Sequence, residues 1–163
     1  VDPCRIAPSF GSMWQKLSIT VSLVTLLFLP SCKHGKCEDG GSSSSSRSSH
    51  NAGENCRSCH HPDGPGEVCW NIGGTVYDHQ VTQPVTAAQV RLFGGPQGTG
   101  GVKYQLQSDR NGNVYSSEDI TFGIGLFPAV INSSGDTAFM TEAINDGACN
   151  SCHGITAERI KLP

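Results

Sequence analysis

The chain has 163 residues and a mass of 17.2 kDa, with 20 glycines, 9 prolines and only 7% aromatic residues. This length suits one modest domain, and the glycine and proline content favours turns and short strands over a coiled coil, a helix bundle or a multidomain enzyme. The formal net charge of −3 gives no basic surface for nucleic acid, so no nucleic-acid partner is expected. Eight cysteines point to an exported protein or a cofactor site.

Residues 1–31 are predicted to be an export signal. Read from Met13, one lysine precedes a mostly apolar stretch over 17–29, which is too short to span a bilayer comfortably. Residues 1–12 precede this plausible start and are a candidate mis-called start. The run Leu29-Pro30-Ser31-Cys32 resembles the bacterial lipobox, which implies lipidation of Cys32. Ordinary cleavage nearby and a buried hydrophobic strand or helix are the alternatives.

Residues 32–49 are interpreted as a tether after the candidate lipidated cysteine. Positions 40–49 are almost all glycine and serine, a composition that buries nothing and behaves as a flexible linker. A domain anchored in this way faces the periplasm or the outside, which are oxidising. Lys33, where inner-membrane lipoproteins have aspartate, implies by analogy the outer membrane. We therefore expect an exported outer-membrane lipoprotein, held at the membrane by its lipid anchor.

Two cysteine motifs with the same Cys-x-x-Cys-His pattern carry the chemistry. They read Cys56-Arg57-Ser58-Cys59-His60 and Cys149-Asn150-Ser151-Cys152-His153. Covalent haem c needs two thiols spaced to meet two vinyl groups of one porphyrin, followed by a histidine that ligates the iron. The chain thus resembles a dihaem c-type cytochrome lipoprotein. Two haem c groups are expected, with thioether links at Cys56, Cys59, Cys149 and Cys152 and proximal iron ligands at His60 and His153.

Other uses of paired cysteines fit the spacing less well. A zinc ribbon places its two pairs about 15–20 residues apart, whereas 89 residues separate Cys59 from Cys149. A thioredoxin-like redox pair requires one motif in a βαβ context. Simple disulfide staples remain an alternative in an exported chain. Of the remaining cysteines, Cys37 and Cys69 form an even pair, and we predict a disulfide between them.

The distal iron ligands decide between electron transfer and chemistry at an open iron. The run from His50 to Cys56, with a turn at Gly53, resembles paired-haem multihaem cytochromes, which implies that His50 ligates the adjacent haem of a close pair. His61 directly follows His60, so it is expected to serve only a neighbouring haem. His79 and Met140 are weaker candidates. The alternative for His79 is a solvated turn, and the alternative for Met140 is packing in the core.

The segment between the motifs is predicted to be a β-domain. Strand-forming residues occur at 75–77, 90–93, 102–107, 114–115 and 129–131, separated by glycine, proline and asparagine. Apolar and polar residues alternate around Val90 and Leu106, which is the period of half-buried strands. Asp109-Arg110-Asn111-Gly112 predicts a hairpin turn, because asparagine and glycine tolerate positive φ.

The same segment resembles the carboxypeptidase-regulatory-like (transthyretin-like) β-sandwich family. The matching runs are Gly74-Thr75-Val76-Tyr77-Asp78, Pro84-Val85-Thr86-Ala87-Ala88-Gln89-Val90 and Ser108-Asp109-Arg110-Asn111-Gly112-Asn113-Val114-Tyr115. The resemblance implies a Greek-key sandwich of about seven strands without catalytic residues. We expect a mainly β fold with little helix, in which a sandwich at 71–140 is flanked by haem segments at 50–70 and 141–163.

Electron transfer in the cell envelope or on the cell surface is the function expected from these features. Its partners would be other cytochromes or redox proteins, and the protein is expected not to be an enzyme. One alternative is a surface structural or filament-forming sandwich that carries haem and self-assembles. A haem enzyme with one open iron site is the other alternative, but we find no distal acid–base pair for such chemistry.

Overall fold

The computed structural model describes residues 40–44 and 49–163 of the chain. The predicted mainly β fold is confirmed, since six strands and three short 3₁₀ turns make up the regular structure of these residues. The strands are β1 (Ile72–Thr75), β2 (Gln89–Phe93), β3 (Val102–Gln107), β4 (Asn113–Ser116), β5 (Phe127–Ile131) and β6 (Thr137–Phe139). The 3₁₀ turns cover Cys56–Ser58, Pro96–Gly98 and Cys149–Ser151.

The strands form two antiparallel sheets that share one core. The smaller sheet pairs β1 with β4, and the larger has the order β3-β2-β5-β6. Ile72 and Val114 of the smaller sheet belong to the same buried cluster as Val90, Leu92 and Val130 of the larger sheet. Removing such side chains from water is the main stabilising contribution, about 1.5–3 kcal/mol for each large aliphatic residue. The sequence therefore closes as a two-layer β-sandwich.

The predicted alternation is present in the larger sheet. Leu92 is fully buried and Leu106 is 5% exposed, whereas Gln105 and Gln107 beside Leu106 face solvent. The predicted strand at 102–107 is β3 itself. The first strand lies earlier than expected, at Ile72–Thr75 rather than 75–77, and β6 is an additional strand that no sequence pattern indicated.

The predicted turn at 109–112 forms, but the predicted hairpin is wrong. Gly112 N–H donates to Asp109 O at 3.0 Å, and Asp109 Oδ1 accepts from Asn111 N–H at 2.9 Å. The strands on either side belong to different sheets, because β3 pairs with β2 and β4 pairs with β1. The turn thus carries the chain from one layer of the sandwich to the other.

Residues 40–44 do not stand clear of the domain as the tether prediction expected. Ser43 is 2% exposed, its N–H donates to Tyr115 O at 2.9 Å and its Oγ accepts from Tyr115 N–H at 3.1 Å. Ser42 bridges to Ser116 on β4. Small side chains allow this segment to lie flat along the strand, so β4 is covered on the side away from β1.

Several predictions fall outside the described residues. The export signal over 1–31, the lipidation site Cys32 and the disulfide candidate Cys37 all precede residue 40. Within 40–44 and 49–163, no helix is long and apolar enough to cross a membrane.

Candidate functional site

Each cysteine motif folds into the same single 3₁₀ turn. In the first motif, Cys59 N–H and His60 N–H both donate to Cys56 O, at 3.2 and 3.0 Å. In the second motif, Cys152 N–H and His153 N–H donate to Cys149 O at 3.3 and 3.1 Å. The two histidines therefore stand in the same backbone relation to their cysteine pairs.

Both turns are seated on β1, at two consecutive glycines. A Cβ added to Gly73 would lie 2.8 Å from Cys56 Cβ, and one added to Gly74 would lie 2.8 Å from Cys149 Cβ. Successive residues of a strand point to opposite faces. The two motifs consequently lie on opposite faces of one strand, and a strand position without a side chain is required at each contact.

The two motif segments also contact each other. Asn150 Nδ2, in the second motif, donates to Glu54 O before the first motif at 3.0 Å. Arg57 Nη1 lies 3.9 Å from Asp146 Oδ1 across the same boundary, a partly exposed ion pair that contributes little stability. The segments before and after the sandwich thus meet, and residues 56–60 lie beside residues 149–153.

A buried hydrogen-bond network supports this junction. Thr75 Oγ1 accepts from Gly53 N–H at 2.8 Å and from Asn150 Nδ2 at 3.0 Å. It donates in turn to Asn113 Oδ1 at 2.6 Å, and Asn113 Nδ2 donates to His50 O at 3.0 Å. The network is stabilising because every one of these buried polar groups has a partner.

The histidine rings of both motifs are held by a backbone carbonyl at Nδ1. His60 Nδ1 lies 2.9 Å from Val68 O, and His153 Nδ1 lies 2.5 Å from Glu158 O. A carbonyl accepts only, so this contact assigns the proton to Nδ1 and leaves the lone pair on Nε2. This tautomer is the one that metal-ligating histidines adopt when they bind through Nε2.

Backbone hydrogen bonds hold the loops that contain the two accepting carbonyls, Val68 O and Glu158 O. After the first motif, Gly66 N–H donates to Cys59 O at 2.9 Å and Trp70 N–H donates to His60 O at 3.1 Å. After the second motif, Tyr77 N–H donates to Ile160 O at 2.8 Å, which ties the C-terminal residues to the end of β1. Both loops are therefore fixed at each end around a motif histidine.

The first motif opens into a cavity of about 400 Å³, here called the first cavity. The imidazole rings of His50 and His60 both line it, with centroids 5.8 Å apart and planes tilted by 42°. Trp70 packs against His60 with ring centroids 5.1 Å apart, and Tyr115 packs behind Trp70 at 4.4 Å. Aromatic side chains thus form one wall of this cavity.

The second motif opens into a cavity of about 560 Å³, here called the second cavity. Cys149, Cys152, His153 and Met140 line it, together with aliphatic side chains that reach it from both sheets. These aliphatic residues are Ile72, Val76, Val90, Leu92, Val114 and Ile144. The second cavity is therefore continuous with the hydrophobic core.

The first cysteine of each motif is more buried than the second. Burial raises the pKa of the Cys56 thiol and raises the pKa of Cys149 to about 12. Cys59 and Cys152 are exposed, and all four thiols are free. Cys69 is disulfide-bonded, and its predicted partner Cys37 lies outside the described residues.

The two remaining predicted ligands, His61 and His79, line neither cavity. His61 is half-buried in the loop after the first motif, and His79 is exposed in a turn that Asp78 closes through the backbone N–H of Thr82 at 2.6 Å. Within the described part of the chain, no three or more histidine, cysteine or acidic side chains cluster as a metal site. A porphyrin supplies four iron ligands itself, so a haem site requires only axial residues from the protein.

The residues that join the two motifs were not among the predicted site residues. They are Gly73, Gly74, Thr75, Asn113 and Asn150. Two consecutive glycines inside a strand were a usable signal, because glycine in a strand often marks a close approach of another segment. No family model matches the chain, and neither a curated protein nor a solved structure matches it.

Proposed function

We propose that this protein is a dihaem c-type cytochrome that carries electrons in the cell envelope or on the cell surface. The observation that carries the proposal is the duplicated arrangement on β1. Two Cys-x-x-Cys-His turns lie on opposite faces of one strand, each with its histidine held at Nδ1 and each open to its own cavity.

The residues of both sites have the chemistry that covalent haem attachment requires. Each motif supplies two free thiols, which add as S–H across two vinyl groups to form thioethers with no oxidant consumed. Each motif also supplies an imidazole whose Nε2 lone pair is available to iron. The iron of such a group takes up one electron and releases one electron, in its ferric and ferrous states.

The contact between the two motif segments favours electron carriage. Electron exchange weakens steeply with the distance between centres, and here a single strand separates the two attachment turns. Asn150 holds the segments together through both Thr75 and Glu54. A carrier built in this way accepts one electron from a donor protein and passes one electron to an acceptor protein.

The disulfide at Cys69 supports the proposed compartment. Disulfides persist in the periplasm and outside the cell, where haem c is also attached. A lipid anchor at Cys32 completes the proposal, which makes the protein an exported lipoprotein with redox proteins as its partners.

Expression in a host with the cytochrome c maturation apparatus tests this function. We expect the intact mass of the exported chain to exceed the polypeptide mass by two porphyrins, with a haem c absorption spectrum and reversible reduction. A Cys149→Ala/Cys152→Ala variant should retain one porphyrin, and so should Cys56→Ala/Cys59→Ala. A chain that matures without any covalent haem would contradict the proposal.

A further inference from the structure

We infer that the two irons have different distal ligands, His50 at the first motif and Met140 at the second. The iron of the second motif then has the higher reduction potential and holds the electron at equilibrium. This inference rests on the proposed function and deepens it, because it assigns a direction to the electron carrier. It concerns four residues of this chain, the proximal pair His60 and His153 and the distal pair His50 and Met140.

The backbone of His50 is fixed at the first cavity, and its ring lies beside that of His60. Its backbone carbonyl accepts from Asn113 Nδ2 at 3.0 Å, and Asn113 is itself 1% exposed. Its ring centroid lies 5.8 Å from that of His60, across the cavity that Cys56 and Cys59 also line. Two imidazoles that face one attachment turn are the donor set of a bis-histidine iron. We therefore assign His50 to the iron of the first motif, the one that His60 also ligates, and not to the iron of the second.

Met140 is fixed at the wall of the second cavity by the larger sheet. Its N–H donates to Pro128 O at 2.9 Å, which continues the β5–β6 ladder one residue beyond Phe139. Both Met140 and Pro128 line the cavity that contains His153, Cys149 and Cys152. A thioether is a soft ligand for haem iron, and methionine opposite histidine raises the reduction potential relative to two histidines.

Other donors of the second cavity are less suited to iron. His153 is the only imidazole among the described residues that line it. Lys161 Nζ is engaged in an ion pair, 3.1 Å from Glu158 Oε2. Glu142 and Asp146 also line the second cavity but are exposed carboxylates, which are harder donors than a thioether. Met140 is thus the neutral sulfur donor that shares the second cavity with His153 outside the motif itself.

The surroundings of the two cavities act in the same direction as the ligands. The second cavity is walled by core aliphatic residues such as Val90 and Leu92, whereas the first is lined by the exposed His50 and by polar residues including Glu54 and Asn55. Apolar surroundings disfavour the extra charge of the oxidised iron and raise its potential. Both effects place the higher potential at the second motif.

The test uses the full-length protein loaded with two haems, so absence of haem would contradict the proposed function rather than this inference alone. In the wild type we expect a redox titration to resolve two unequal steps, and carbon monoxide to leave the ferrous spectrum unchanged. The ferric spectrum should contain the weak long-wavelength charge-transfer band of methionine-ligated iron, and the ferrous proton spectrum one strongly upfield-shifted methionine methyl signal.

Substitutions then assign the ligands to the two steps. Met140→Leu should abolish the methionine signals and open one iron to carbon monoxide, while the lower-potential step stays in place. Met140→His should move the higher step downward toward the lower one. His50→Leu should open the other iron and retain the methionine signals. His61→Leu and His79→Leu are the matched controls, in which both steps and both spectra should be unchanged.

Three outcomes would overturn the inference while two-haem electron carriage stands. One is a wild type without methionine signals, which needs no variant to fold. A second is a Met140→Leu protein that remains inert to carbon monoxide. The third is a His61→Leu protein that loses ligation while His50→Leu retains it.

Discussion

Thr75 and Asn150 hydrogen bond to each other in both directions. Thr75 N–H donates to Asn150 Oδ1 at 3.2 Å, and Asn150 Nδ2 donates to Thr75 Oγ1 at 3.0 Å. One residue belongs to β1 and the other occupies a spacer position between Cys149 and Cys152. Although 75 positions separate them, this exchange ties the second Cys-x-x-Cys-His turn to the strand that also bears the first turn.

Asn150→Ala should destabilise the folded protein by about 1–3 kcal/mol, because Thr75 N–H becomes a buried donor without a partner and Glu54 O loses its bond from Asn150 Nδ2. Urea unfolding of the haem-loaded protein measures the effect. Asn145→Ala is the matched control, since Asn145 is exposed a few residues away and its loss should be nearly neutral. Equal unfolding midpoints for the two variants would contradict the role assigned to Asn150.

Gly73→Ala and Gly74→Ala should each displace one motif and spare the other. The added Cβ would lie 2.8 Å from Cys56 Cβ in the first case and 2.8 Å from Cys149 Cβ in the second, and such overpacking costs about 1–3 kcal/mol. Each substitution is made in chains that retain only one motif. Haem yield should fall mainly where the glycine and the remaining motif correspond, whereas the unfolding midpoint should fall in both backgrounds because alanine keeps the Cβ that is contacted. A uniform loss of haem yield would refute the assignment of faces.

The chain with free thiols should lose stability at alkaline pH. Burial raises the pKa of Cys149 from 9.0 to about 12 in the folded state. The unfolded chain therefore ionises first as the pH rises, so the contribution is complete below pH 9.0 and is lost progressively toward about 12. Urea midpoints between these pH values should decline more steeply for the free-thiol chain than for its Cys149→Ala variant. The haem-loaded protein, whose sulfurs are thioethers, should lack this decline, and parallel profiles for all three forms would disprove it.

Trp70 should report occupancy of the first cavity by fluorescence. Its ring packs against His60, with centroids 5.1 Å apart, and lines the same cavity as Cys56 and Cys59. Haem absorbs at the wavelengths at which tryptophan emits, so emission from Trp70 should be largely quenched in the loaded protein. Cys56→Ala/Cys59→Ala should lengthen the residual fluorescence lifetime of Trp70 more than Cys149→Ala/Cys152→Ala, because Trp70 lines the first cavity, although a haem one strand away still quenches it. Strong emission from a fully loaded wild type would show that no porphyrin lies near Trp70.

The strands that sequence analysis predicted well are those with a local signal. β3 alternates around Leu106, and its predicted bounds agree with the structure. β1 was placed too late because Gly73 and Gly74 have low strand propensity, and its position is set instead by pairing with Tyr115 and Val114 on β4. β6 has only three residues and owes its conformation to pairing with β5. Such pairings between distant segments leave no local pattern to read.

The candidate site residues also differ in whether a local sequence signal could reveal them. The two cysteine motifs could be recognised because their chemistry depends on fixed spacing within five residues. The choice among His50, His61, His79 and Met140 could not be made from sequence, because it depends on which loop returns to which motif. Only the folded chain brings His50 to the wall of the first cavity and Met140 to the wall of the second.

The small sheet is sealed along both of its edges by the two ends of the described chain. Residues 40–44 lie along β4, and on the far side Gly73 N–H donates to Gly147 O at 2.8 Å beside a bridge to Ala148. Bare strand edges recruit strands from other molecules. A nascent chain that stops before residue 147, or a protein trimmed beyond residue 44, would expose such an edge and aggregate. Proteolytic removal of residues 40–44, or of the chain from 147 onward, should therefore lower solubility although neither cut removes a buried residue of the hydrophobic cluster.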